Sequence, residues 1–213
     1  MTAAPGLRRR FHRDLEAVDT KVCRMFELLQ ASLSEATQVL ASGDVVAARE
    51  VVRRDVVIDE LDHELEESIV RILHLQSPMA GDLRYLVTVL RVAPELERSA
   101  DLAEHIAARA ARGLGASLTP ELISHVRRMG DLAERMWAIA AAAWSDWPTT
   151  AVATLEALDD QMDALHDDLT QRLHLGALPL GPAVEMALVG RFYERLGDHA
   201  VHVTERLSYA AGD

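Results

Sequence analysis

One cysteine, Cys23, stands alone in 213 residues, so no intrachain disulfide and no thiolate metal cage can form. Aromatic side chains make up only 4%, and seven prolines sit at a few punctuating places. Against abundant Ala, Leu, Arg, Glu and Val, this composition argues for an all-helical protein. Long apolar runs are missing too. The longest uncharged stretch, 173–184, contains Gly176, Pro179, Gly181 and Pro182, and no helix spans a bilayer on that. Basic residues are in deficit, 22 against 34 acidic, and the net charge of −12 argues against broad nucleic-acid binding. No Gly-rich phosphate loop appears, so nucleotide binding is not expected. Arg8, Arg9 and Arg10 are followed by His12, Arg13, Asp14 and Glu16 where an export signal needs apolar residues, so a cytoplasmic location is expected.

What is present reads as six long helices, over residues 7–42, 44–76, 83–112, 120–144, 149–175 and 182–209. Gly43 closes the first, Asp44 caps the second, and Thr119-Pro120-Glu121 supplies a cap, an N1 proline and an acidic first turn for the fourth. The layout repeats. Val56-Val57-Ile58-Asp59-Glu60-Leu61 matches Asp160-Gln161-Met162-Asp163-Ala164-Leu165 at an offset of 104. Leu96-Glu97-Arg98-Ser99-Ala100-Asp101 matches Tyr193-Glu194-Arg195-Leu196-Gly197-Asp198 at an offset of 97. The difference of seven shortens each arm of the second hairpin by about one turn and keeps the facing register. The expected architecture is therefore two tandem three-helix bundles, 7–113 and 118–210, in an antiparallel, pseudo-twofold arrangement. They should lie side by side, since no flexible linker separates them.

Four acidic pairs stand four residues apart: Asp55 and Asp59, Glu97 and Asp101, Asp159 and Asp163, Glu194 and Asp198. This spacing puts both carboxylates on one helix face, about 5–6 Å apart at Cβ. With 34 acids, chance alone yields about five such pairs, so a single pair says little. Their placement is the signal, on the second and third helices of each repeat at equivalent positions. They belong in a surface groove between two helices, where converging pairs repel unless a cation sits between them. Four hard oxygen ligands suit a divalent or trivalent metal. His105 and His202 follow Asp101 and Asp198 by four, again at offset 97. If they bind, the preference tilts from magnesium or calcium toward iron, zinc, nickel or manganese.

These features resemble the PhoU family of phosphate-uptake regulators. The resemblance is carried by the tandem helical repeat, the acid pairs, the string Glu194-Arg195-Leu196-Gly197-Asp198-His199-Ala200-Val201, Asp82-Leu83-Arg84, and Arg10-Phe11-His12-Arg13-Asp14-Leu15. It implies two three-helix bundles, each with a multinuclear iron or zinc cluster held by the carboxylate pairs, in a cytoplasmic and often dimeric protein. It also implies a negative regulator of phosphate uptake and phosphate-starvation signalling, acting on the phosphate ABC transporter ATPase and a sensor histidine kinase. The chain departs from the family pattern in three places. The usual Glu-Arg-Ile-Gly-Asp-His reads Glu97-Arg98-Ser99-Ala100-Asp101-Leu102, His105 and His202 replace asparagines, and Ala108 stands opposite Glu205.

Three readings follow: a metal-binding regulatory adaptor without catalysis, a carboxylate-bridged metalloenzyme of ferritin-like type, and a metal-free helical scaffold. The enzyme reading wants paired Glu-x-x-His motifs, and only Glu60 and His63 supply one. Trp137, Trp144 and Trp147 read as core and turn packing, and the alanine run 138–143 as a close helix contact.

Overall fold

The structure, a computed structural model, describes residues 5–76, 78–146 and 150–211. The elements run α1 Pro5–Ser42, α2 Val45–Arg54, α3 Val56–Gln76, α4 Ala80–Ala111, a 3-10 turn Leu114–Ser117, α5 Pro120–Asp146, α6 Ala151–His174 and α7 Leu180–Ala211. No strand occurs among the described residues, and no helix there is long and apolar enough to cross a membrane. Asp44 caps α2 as expected, its carboxylate accepting from the Val46 and Ala47 amides. The second rod is not continuous. It breaks at Asp55, whose backbone stays in the right-handed region (φ −62°, ψ −36°) while the Ile58 amide donates to the Asp55 carbonyl at 3.0 Å. The break falls among the β-branched residues Val51, Val52, Val56, Val57 and Ile58, where helix propensity is low.

α1 is the spine of the molecule. Val18, Val22, Met25, Leu29, Leu33, Ala36 and Leu40, three or four apart, are all buried. On α4 a second seam of Leu86, Val89, Ala93, Leu96, Ala100, Ala103, Ala107 and Ala110 is buried, and its small residues let neighbouring helices approach on two sides. Each large buried apolar side chain contributes about 1.5–3 kcal/mol before entropy is counted. α1 packs on α5 and α4 on α7, so one hydrophobic core runs through both halves.

Paired contacts repeat with the sequence. Lys21 Nζ meets Glu64 Oε2 at 2.8 Å between α1 and α3, and 104 residues on His125 Nδ1 meets Asp168 Oδ2 at 3.4 Å between α5 and α6. α4 and α7 cross antiparallel about the pseudo-twofold. Arg206 of α7 pairs with Glu95 of α4 at 2.9 Å, and the equivalent positions reappear as Arg109 over the Phe192 ring, 4.5 Å from its centroid. The shortening of the second hairpin is unequal. Beyond Asp163, α6 is six residues shorter than α3 beyond Asp59, α7 loses three before Glu194, and the connecting loop gains two.

Trp137 and Trp144 are core residues, with Phe26 6.3 Å from each ring, while Trp147 lies outside the described residues. In the alanine run Ala140 and Ala143 are buried but Ala138 and Ala142 face outward, so only one side makes the helix contact. On α7, Leu196 and Val203 are buried but Leu188 is 40% exposed.

Among the described glycines, the tightest approach to another segment's backbone lies at Gly115, where a Cβ would stand 2.5 Å from the Leu40 carbonyl oxygen and 2.7 Å from the Gly43 Cα. Backbone cannot move aside as a side chain can. Gly115→Ala should lower unfolding free energy in urea by about 1–3 kcal/mol. Gly181→Ala, with nothing within 4 Å, should change it by less than about 0.5 kcal/mol. Equal stability of the two variants would mean that this crossing is not close-packed.

Candidate metal centre

α2 and α3 present Asp55 and Asp59 toward α4, which presents Glu97 and Asp101. The break at Asp55 places its carboxylate between the two short rods, half-buried. A carboxylate oxygen from each of Asp55, Asp59 and Asp101 lies within 4.8 Å of the others. Burial, then the charges of Asp101 and Asp59, push the Asp55 carboxyl up to about 7. Asp101 is raised by burial and by Asp59, and Glu97 by burial, Asp101, Asp59 and Asp62. Asp55, Glu97 and Asp101 are thus made less acidic by removal from water and by their neighbours' charge.

In the second half Asp159, Asp198 and Glu194 are half-buried, while Asp163 is exposed. Burial, then Asp198, Asp163 and Glu194, raise Asp159 to about 6. Burial and Asp198 raise Glu194, while Arg191 and His166 act against them. Glu194 Oε1 is held by the Arg191 guanidinium, but Glu194 Oε2 and Asp159 Oδ1 are buried without a hydrogen-bond partner among the described residues. Buried carboxylate oxygens without donors are costly, and either a proton or a cation relieves them.

The halves differ at the helix contact. At Gly197 a Cβ would come within 2.6 Å of Asp159 Oδ1, so the missing side chain is what admits that carboxylate to α7. The first half carries Ala100 at the equivalent position, fully buried, and there the facing rod is broken at Asp55; α6 runs unbroken through Asp159.

His105 acts on Asp101 through its charge, but no histidine joins the three close carboxylate oxygens among the described residues. His105 Nδ1 pairs with Glu104 Oε2 at 2.7 Å, and its ring lies 5.6 Å from Phe192. His202 is exposed, its charge felt by His199 on the same helix. Residues beyond the repeat-matched set also act on the sites, among them Glu104, Asp62 and His166. Glu104 adds negative charge at Asp55 and Asp101, Asp62 does so at Glu97, and His166 adds positive charge at Glu194. Glu104 follows Asp101 by three, a same-face spacing, but Val201 occupies the matching place in the second half, so matching the repeats passes over it. Asp62 and His166 do match at offset 104, with opposite charge preference.

Chemically, each site is a set of hard, poorly solvated oxygen donors with a surplus of negative charge, suited to an ion and lacking any nucleophile–base arrangement. A family model described as the PhoU domain matches this chain twice, over residues 22–110 and 126–207. The chain belongs to the PhoU family. The phosphate-specific transport system accessory protein PhoU homolog 2 of Mycobacterium tuberculosis is 32% identical over 208 residues, covering 96% of this chain and 98% of that one. PhoU homolog 1 of Mycobacterium leprae is 31% identical, covering 96% and 94%. The fold agrees with the crystal structure of PhoU from Pseudomonas aeruginosa, at a TM-score of 0.86 and 24% identity, covering 94% of this chain and 98% of that one. Both PhoU matches include the carboxylate-bearing helices of their half, α3 with α4 and α6 with α7.

The raised Asp55 fixes a pH dependence for this PhoU chain. Between the ordinary value of 3.8 and about 7, the folded state binds more protons at Asp55 than the unfolded state does, so stability falls as pH rises through that interval. The thermal midpoint of chelator-treated protein should drop from about pH 4 to about pH 7, and Asp55→Asn should flatten the drop. An unchanged slope in the variant would mean that Asp55 titrates as an ordinary surface carboxylate.

Proposed function

We propose that this PhoU protein is a cytoplasmic, non-enzymatic regulatory adaptor. In this reading it binds metal at its two carboxylate clusters and negatively regulates phosphate uptake and phosphate-starvation signalling. It does so as a homodimer, through contacts with the ATPase of the phosphate ABC transporter and the associated sensor histidine kinase. The relatives' names, accessory proteins of a phosphate-specific transport system, support the setting. The single observation that carries the metal reading is the repetition of the acidic cluster at pseudo-equivalent places, with oxygens of Asp55, Asp59 and Asp101 within 4.8 Å in one half and buried, partnerless oxygens of Asp159 and Glu194 in the other.

Asp55, Asp59, Glu97 and Asp101 would hold metal in the first half, and Asp159, Asp163, Glu194 and Asp198 in the second, with His105 and His202 at the margins. A bound ion supplies positive charge that offsets the gathered carboxylates, and it offers open coordination positions to a partner carboxylate or to phosphate. Iron or zinc suits carboxylates with an imidazole nearby. With His105 occupied by Glu104, the first half is left with oxygen donors, which manganese or magnesium also accepts.

Protein purified without chelator should carry metal, and Glu194→Ala with Asp198→Ala should remove about half of it, as should Asp55→Ala with Asp101→Ala. Wild-type metal content in both double variants would remove the metal from the account. For the adaptor role, the wild-type chain should retain the transporter ATPase or the kinase from the same genome in a pull-down. Loss of the gene should raise a phosphate-starvation reporter in phosphate-replete cells. A silent reporter together with no retained partner would contradict the role.

A further inference from the structure

Far from the carboxylates along the helices, a cavity of about 180 Å³ opens between the first part of α1 and the last part of α3. These helices run antiparallel, so Arg10, near the start of one, and Arg71, near the end of the other, line the same space. Lys21 lines it as well but is held by Glu64 at 2.8 Å. Ser68 is likewise engaged, its hydroxyl donating to the Glu64 carbonyl at 2.6 Å. Arg10 and Arg71 form no hydrogen bond or ion pair among the described residues. Arg54, Arg98 and Arg206, by contrast, are held by carboxylates. In a chain of net charge −12, these two guanidinium groups give the cavity a local surplus of positive charge over its single acid, Asp14. Val18 and Ile72, both buried, give the cavity an apolar floor, and Asp14 is the one acid on its lining.

We propose that this cavity binds a phosphomonoester, independently of the metal clusters. A guanidinium presents parallel N–H donors matched to phosphate oxygens, and two of them balance the dianion. Asp14 would repel the phosphate itself but accepts hydrogen bonds from a neighbouring hydroxyl, and Val18 and Ile72 cover the carbon skeleton. The group recognised is thus a phosphate on a hydroxylated carrier, either a free metabolite or a lipid headgroup at the cavity mouth, where Leu75 is 60% exposed.

Two arms test this on the full chain, treated with chelator so that phosphate on metal is not counted. Glycerol 3-phosphate is titrated calorimetrically, and phosphatidylcholine vesicles with and without phosphatidic acid are tested by co-sedimentation. Saturable binding is expected in at least one arm, weakened about tenfold or more by Arg10→Gln with Arg71→Gln. It should be unchanged by Arg128→Gln with Arg135→Gln, which alter the groove between α5 and α6. All four side chains are exposed, so the variants should keep the wild-type thermal midpoint. Binding of the soluble ester points to a metabolite, and binding to vesicles alone points to a lipid; either supports the site. No saturable binding in either arm, or binding equally affected or unaffected in the two double variants, overturns it.

Discussion

Like charges four apart on an isolated helix cost only a few tenths of a kcal/mol, because water solvates each one. The constraint in this protein is stronger, since acids from different helices are brought together by packing in which they take no part. The apolar seams of α1 and α4 fix where α3 and α4 lie, and that placement alone sets Asp55, Asp59 and Asp101 within 4.8 Å. Half removed from water and beside Asp59, Asp55 and Asp101 are driven toward the protonated form, and Asp55 rises to about 7. Core packing thus maintains a local excess of negative charge, and the site's capacity to take an ion follows from that imbalance.

The pseudo-twofold between α4 and α7 shows how one backbone arrangement tolerates different chemistry. Ser99 hydrogen-bonds His199 Nδ1 at 2.9 Å in the buried interface, whereas the equivalent positions, Leu196 and Leu102, are both apolar and buried. Glu95 with Arg206 is an ion pair where Phe192 with Arg109 is a cation–ring contact. In each pair, one half uses polar groups and the other apolar or aromatic ones at matched places. The departures from the family string at Ser99 and Leu102 are thus accounted for by interface packing. They leave the acids Glu97 and Asp101 on the other face.

Much of the architecture was legible in the sequence because breakers and caps are local signals. Gly43, Asp44 and Thr119-Pro120 delimit helices where expected, and the repeat read from offsets 104 and 97 reappears in paired contacts. The break at Asp55 was not legible, since no glycine or proline marks it and the residue keeps helical angles. The acid pairs were recognisable from their repeated placement. What spacing could not convey was side-chain direction: His105, four residues from Asp101, turns to Glu104 and Phe192. Nor could it weigh Asp62 and His166, whose influence comes from across the helix contact, or Glu104, which acts on Asp55 across that contact and on Asp101 along its own helix. Gly197 was visible as part of a family string, but its physical role, space for Asp159 Oδ1, depends on the distance between α6 and α7.

The proposal that ions occupy these acid clusters is tested most directly by metal-edge anomalous diffraction from crystals grown without chelator. The account predicts anomalous peaks within bonding distance of Asp55, Asp59 and Asp101 in the first half and of Asp159, Glu194 and Asp198 in the second. Well-ordered carboxylates surrounded only by water, with no anomalous signal at either place, would contradict it.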